Sequence, residues 1–192
     1  MISVERFIET EFHPNSPNKI KAMQVANLHK IIGRNVIKVR GDGKCFIRSL
    51  VHALILQRKS DVCFNILSRF VIDEYVEELF VTIEKKILND DCALINHICT
   101  NIILHIDNNW DYEIDKSYYI NENNIDGPVR DAVMRLLGIS KVTIYSLIIP
   151  STDKEQNIKI LQPSKPLLCE GVTPWSLELL CVHGFCHYNL LN

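Results

Sequence analysis

Apolar residues recur at helical spacing through the first half of the chain and gather into short runs through the second. Residues 3–11 read as a short helix, ended by the turn-rich PNSPN (14–18). KIKAMQVANLHKI (19–31) predicts a second helix, with Ile20, Met23, Ala26 or Asn27, and Ile31 near a 3.6-residue period and Gly33 as its stop. VIKV (36–39) is a short strand candidate. From Cys45 onward, Ile47, Leu50, Val51 and Leu54 form one apolar helix face. Leu67, Val71, Val76, Leu79, Ile83 and Ile87 trace the stripe of a longer helix, and CALINHICTNIILHI (92–106) predicts a buried one. The Asp- and Asn-rich segment 107–124 reads as a long polar connection with aromatic anchors. Gly127 and Pro128 open a further helix through Leu137, which Gly138 closes.

The second half changes period. KVTIYSLII (141–149) and IKIL (158–161) read as strands either side of the polar turn STDKEQN, and LELLCV (177–182) with FCHYNLL (185–191) as a hairpin across His183-Gly184. Helices first and strands later predict an α+β, or mixed α/β, domain with a small, largely antiparallel sheet packed between helices. At 192 residues the chain reads as one domain, 1–192, with 1–33 a helical N-terminal extension.

Composition sharpens this in three ways. Hydrophobic residues make up 47% of the chain and charged residues 23%, a balance that sustains a sizeable core and excludes a disordered chain. The formal net charge of −2, without a Lys/Arg cluster, gives no footprint for nucleic acid or an anionic membrane surface. The start, MISVERFIETEF, lacks the basic and apolar regions of a signal peptide, and no apolar run approaches the roughly 20 residues of a membrane span. The expected setting is cytoplasmic and the expected state monomeric. Seven cysteines at irregular spacing (45, 63, 92, 99, 169, 181, 186) do not read as a disulfide framework. Each is a packing residue, a metal ligand or a reactive thiol.

GDGKCFIRSL (41–50) is where chemistry concentrates. A nucleophilic cysteine needs a stabilised thiolate, and a helix N-terminus offers unsatisfied N–H groups and partial positive charge. The same N–H groups suit a developing oxyanion. Gly41 and Gly43 let the backbone turn and a substrate approach, while Asp42 is able to hold the loop by accepting backbone N–H groups. The alternative is a buried cysteine acting as a small hydrophobe. A base must also reach the sulfur. Among seven histidines (13, 29, 52, 97, 105, 183, 187), His187 stands out because Asn189 follows two residues on and shares its face in an extended strand. Cysteine, histidine and asparagine then satisfy the logic of a catalytic triad. His52 lies about two helical turns beyond Cys45, and His183 reads as a turn residue.

Asp42-Gly43-Lys44-Cys45-Phe46-Ile47-Arg48-Ser49-Leu50, followed by His187-Tyr188-Asn189, resembles the ovarian tumour (OTU) family of cysteine proteases, in order over most of the chain. The resemblance implies a papain-like fold of OTU type and a deubiquitinating isopeptidase. Its partners would be ubiquitin, or a ubiquitin-like modifier, and its conjugates. It also implies Cys45 as nucleophile, His187 as general base and acid, Asn189 as its orienter, and Asp42 with Gly43 and Lys44 shaping the oxyanion loop, with no cofactor. Lys44 stands where the family commonly has Asn, Phe46-Ile47 where it has Leu-Phe, and Gly127-Pro128 where it often has Trp-Gly. The small size and the Asn- and Ile-rich composition fit a virus, an intracellular bacterium or a parasite, which would place the chain in a host cytosol.

Other classes compete. An OTU-like module that binds ubiquitin without cleaving it would keep the surface and lose the chemistry. A zinc-stabilised interaction domain would use Cys181, His183, Cys186 and His187, although adjacent residues 186 and 187 of a strand point opposite ways. Arg48 and Ser49 read as helix surface. Asp73, Glu74, Glu77 and Glu78 read as a solvated face that also suits a basic partner.

Overall fold

The computed structural model describes residues 1–88, 92–109, 128–148, 157–163, 173–183 and 187–192. The predicted turn 151–157 (apart from Asn157), most of the connection 107–124, Trp110, Gly127, Gly184, Cys169 and Cys186 lie outside the described residues.

Six strands form one mixed sheet in the order β1-β2-β6-β5-β3-β4. They are β1 (Ile2–Ser3), β2 (Asn35–Ile37), β3 (Ile139–Ile148), β4 (Ile158–Leu161), β5 (Trp175–His183) and β6 (Tyr188–Leu191). All neighbouring pairs are antiparallel except β3 with β5, so the sheet is largely antiparallel, as the strand pattern predicts. β5 and β6 pair from Glu178 with Leu191 to Cys181 with Tyr188, and His183, expected in the turn, belongs to β5 opposite Ile148 of β3.

Helices cover both faces because the strands alternate two apolar sets. Val142 and Ile144 of β3, Leu177, Leu179 and Cys181 of β5, and Tyr188 and Leu190 of β6 face one way. They pack under α3 (Cys45–Gln57), α4 (Ser60–Leu67), α5 (Val76–Glu84), α6 (Ala93–Asn109) and α7 (Pro128–Leu136). Leu147, Leu180, Val182 and Leu191 face the other way, against α1 (Val4–Glu11) and α2 (Pro17–Leu28). Residues 1–33 are thus bound into the domain: they supply the edge strand β1 and the cover of one whole sheet face.

Local chemistry explains most element ends. Ser3 caps α1 by accepting the Arg6 N–H at 3.2 Å. Ser16 accepts the Asn18 N–H at the start of α2, where Pro17 takes a first-turn position. Three expectations change. The buried face of α2 is Ala22 and Ala26, four apart and small enough for close approach to the sheet, while Ile20 is 64% exposed. The stripe from Leu67 to Ile87 is not one helix. Val71 and Ile72, two β-branched residues, are extended (φ/ψ of −121°/151° and −84°/163°) and separate α4 from α5, with short 3₁₀ turns on either side. And α6 runs on through 107–109, into the segment expected to be a connection. No helix among the described residues is long and apolar enough to cross a membrane.

Candidate active site

Cys45 is the first residue of α3 and is 6% exposed. The chain reaches it through a tight turn. Asp42 Oδ1 accepts the Lys44 N–H at 3.0 Å, and Gly43 between them takes φ +81°, a left-handed conformation that costs a residue with a Cβ roughly 1–2 kcal/mol. Lys44, the N-cap position, provides no side-chain cap. The first N–H groups of α3 thus receive no side-chain cap from the residue before the helix. Cys45 Sγ lies over them, within reach of the backbone N–H groups of Phe46 and of Tyr188 in β6.

That last contact brings the two sequence blocks together. Tyr188 is held against α3 three ways. Its ring meets Phe46 edge-on at 5.3 Å, its carbonyl accepts the Ser49 hydroxyl at 3.2 Å, and the Arg130 guanidinium of α7 lies over both rings at 5.0 and 5.4 Å. His187, one residue earlier and half-buried, packs its ring on Gly41. Asn189 is 1% exposed and two residues along. Its Oδ1 accepts the Val39 N–H at 3.1 Å and its amide donates to the Leu180 carbonyl at 3.4 Å. The side chain clamps β6 between β5 and the segment leading into the thiol loop. Among the hydrogen bonds of the described residues, none joins it to His187.

Five further histidines with described side chains lie elsewhere. His13 accepts the Asn15 N–H, His29 stacks near Tyr145, His97 meets Asn101 and Tyr75, and His105 meets Phe70. His52 is buried on α3.

The electrostatics depart from the sequence expectation. Burial pushes the Cys45 thiol above its ordinary value and the Asp42 carboxylate adds to the rise; the N–H groups of Tyr188, Phe46 and Cys45 only partly offset this. At the helix start, burial of the sulfur outweighs the N–H groups that favour a thiolate. The half-buried Lys44 side chain reaches across to α6, where its Nζ donates to Thr100 Oγ1 at 2.8 Å.

Arg48, expected on the helix surface, is 1% exposed. Its Nε and Nη2 donate to the Asp42 carboxylate at 2.5–3.2 Å, and Nη2 also donates to Asn96 Oδ1. Ser49 is fully buried as well. The missed signal was a lone cation inside an apolar helical run, one turn past Cys45, with an aspartate just upstream. A buried guanidinium demands an acceptor.

The described cysteines 45, 63, 92, 99 and 181 form no disulfide, and among the described residues no group of three or more His, Cys, Asp or Glu side chains is placed to hold a metal. Cys181 is fully buried in the larger core. Glu74, in the 3₁₀ turn before α5, and Glu77 and Glu78 of α5 line a cleft of about 470 Å³ with Val81, Ile87 and Cys92.

No known protein-family model matches the chain, and no curated protein matches it in sequence.

Proposed function

We propose that the chain is a cysteine isopeptidase of the ovarian tumour type, removing ubiquitin or a ubiquitin-like modifier from lysine side chains in a cytosolic, reducing setting. The observation that carries this reading is that Cys45, at the start of α3, lies within reach of the Tyr188 N–H of β6, while the ring of His187, one residue earlier, rests on Gly41. Helices on both faces of a largely antiparallel sheet support the papain-like architecture the reading implies. The acid-rimmed cleft on α5 offers a face for a basic partner.

In this mechanism His187 takes the Cys45 proton as the sulfur attacks the isopeptide carbonyl. A raised thiol pKa favours proton transfer at the moment of attack over a stored ion pair. The carbonyl oxygen, now negative, is received by N–H groups at the start of α3. The C–N bond breaks, His187 returns the proton to the lysine amine, and a thioester remains. Water, giving its proton to His187, then releases the ubiquitin carboxylate and the thiol. Asn189 anchors the strand that presents His187. The amide oxygen of Asn189 has two lone pairs, Val39 takes one, and the mechanism assigns the other to the His187 imidazole.

A ubiquitin carrying an electrophile at its C-terminus tests the reading, with a panel of ubiquitin-like modifiers tipped the same way. The expected result is a covalent adduct on wild type and none on Cys45→Ala. No adduct from any of these probes on folded wild type would overturn it. The raised thiol and the backbone engagement of Asn189 favour one second reading, a ubiquitin-binding module of the same fold without turnover. Ubiquitin binding by wild type and Cys45→Ala alike, with no adduct and no di-ubiquitin cleaved, would select it.

A further inference from the structure

Two ties run from the thiol loop to one face of α6. Lys44 Nζ donates to Thr100 Oγ1 at 2.8 Å, and Arg48 Nη2 donates to Asn96 Oδ1. Asn96 and Thr100 are four residues apart and therefore neighbours on the helix surface. They are also joined directly, since the Thr100 hydroxyl donates to the Asn96 carbonyl at 2.9 Å while it accepts from Lys44. The ties end on opposite sides of the same turn. Arg48 passes its hold to Asp42 through both carboxylate oxygens, Asp42 accepts the Lys44 N–H, and the Lys44 side chain returns to Thr100. The circuit closes around Gly43, whose left-handed backbone would otherwise give the turn its greatest freedom.

We propose that Asn96 and Thr100 are positioning residues of the Cys45 site, fixing through Arg48 and Lys44 the loop whose N–H groups face the reacting carbonyl. The inference rests on the reading of Cys45 as the nucleophile. Neither residue touches the sulfur, so both act on where the loop stands. Displacing a catalytic group by about 1 Å is enough to cost up to roughly 100-fold in rate. Lys44 gives this chain a side chain long enough to reach α6, and α6 answers with a hydroxyl at the matching position.

The test compares Asn96→Leu and Thr100→Val, near-isosteric changes that delete the acceptor, with Asn96→Asp and Thr100→Ser, which keep it. Turnover is read on ubiquitin with a fluorogenic C-terminal leaving group, and the alkylation of Cys45 by iodoacetamide is followed against pH by peptide mass spectrometry. The expected result is a loss of about tenfold or more in kcat for Asn96→Leu and Thr100→Val, with KM within about twofold. Their alkylation profiles should shift, and both measures should return to within about threefold of wild type in Asn96→Asp and Thr100→Ser. Wild-type turnover and alkylation in folded Asn96→Leu and Thr100→Val would overturn the proposal, as would equal losses in the acceptor-keeping pair. If Asn96→Leu does not fold, Thr100→Val decides alone. Alkylation needs no ubiquitin: wild type that turns over no ubiquitin substrate counts against the proposed function, while the profiles still decide this inference.

Discussion

The imidazole of His187 rests on Gly41, with Nδ1 and Cε1 each 3.5 Å from the place a Cβ on that residue would occupy. This is ordinary contact distance, so one methyl fits and a branched chain does not. Gly41→Ala should leave stability within about 0.5 kcal/mol of wild type, as for exposed sites generally, and should keep probe labelling. Gly41→Leu should unseat the ring and slow labelling by about tenfold or more with a similarly small change in Tm, since no core contact is lost. Parallel thermal melts and labelling time courses measure both.

Asn189 is a clamp in the structure and an orienter in the proposed mechanism, and two substitutions separate these roles. Asn189→Ala leaves the Val39 N–H and the Leu180 carbonyl without their partner in a buried place, a loss of about 1–3 kcal/mol in urea unfolding. Asn189→Asp keeps the acceptor for Val39 and gives up the donor to Leu180. It should be less stable than wild type yet label faster than Asn189→Ala when both are compared well below their unfolding midpoints.

Asp42 links stability and reactivity. Burial works against its carboxylate, but the Arg48 hydrogen bonds, the Lys44 N–H and the Arg48 charge together outweigh this and hold its pKa below the ordinary 3.8. A carboxyl lowered on folding adds stability above the unfolded-state value, and loses it as the pH falls through the folded one. The stability difference between wild type and Asp42→Asn should therefore be full above about pH 5 and shrink as the solution is acidified below the ordinary value. Denaturant midpoints across acid pH measure it. The same substitution removes the carboxylate's part in raising the Cys45 thiol while leaving the larger contribution of burial. Its alkylation profile should move to lower pH and still lie above that of an exposed cysteine.

At the opposite end of the pH scale stands Tyr145. Burial, with its 2.6 Å hydrogen bond to Glu178 and that group's charge, raises the phenol to about 12. Glu178 also pairs with Arg34 at 2.5 Å, tying β5 to the chain that follows α2. A phenol raised on folding contributes stability that is whole below its ordinary pKa of 10 and is lost as the pH climbs from there through 12. Tyr145→Phe should be less stable than wild type by about 1 kcal/mol at neutral pH. The gap should close above pH 10 in alkaline unfolding followed by circular dichroism.

Much of this was readable from the chain because it depends on local order. The apolar face beginning at Cys45, the strands found at Ile139–Ile148 and Ile158–Leu161, and the terminal pair β5 and β6 each rest on periodicity within a dozen residues. That the Cys45 loop and the 187–189 segment come together was readable only through paired motifs, since spacing alone does not bring distant segments together. What escaped depends on partners remote in sequence. Arg48 looks like a surface cation until Asp42 and Asn96 surround it. The length of Lys44 has meaning only once Thr100 is opposite. Asn189 follows the two-residue rule of a strand, yet backbone groups from Val39 and Leu180 claim its amide. The break at Val71-Ile72 hides because Leu67, Leu79 and Ile83 stay in the core on either side of it.

The position of β6 ties chemistry to folding. This strand is threaded between β2 and β5, and its Asn189 side chain bonds to Val39 across 150 residues of chain. Bringing such distant segments together carries a closure cost that only the finished sheet repays. Until β6 is seated, the thiol loop has no imidazole beside it and no Tyr188 N–H against the sulfur. In the proposed mechanism a nascent or partly unfolded molecule would lack both groups, and competence would follow the closing of the sheet. If Cys45 is the nucleophile of the proposed isopeptidase, that dependence would act as a safeguard, since only the completed sheet would arm the thiol.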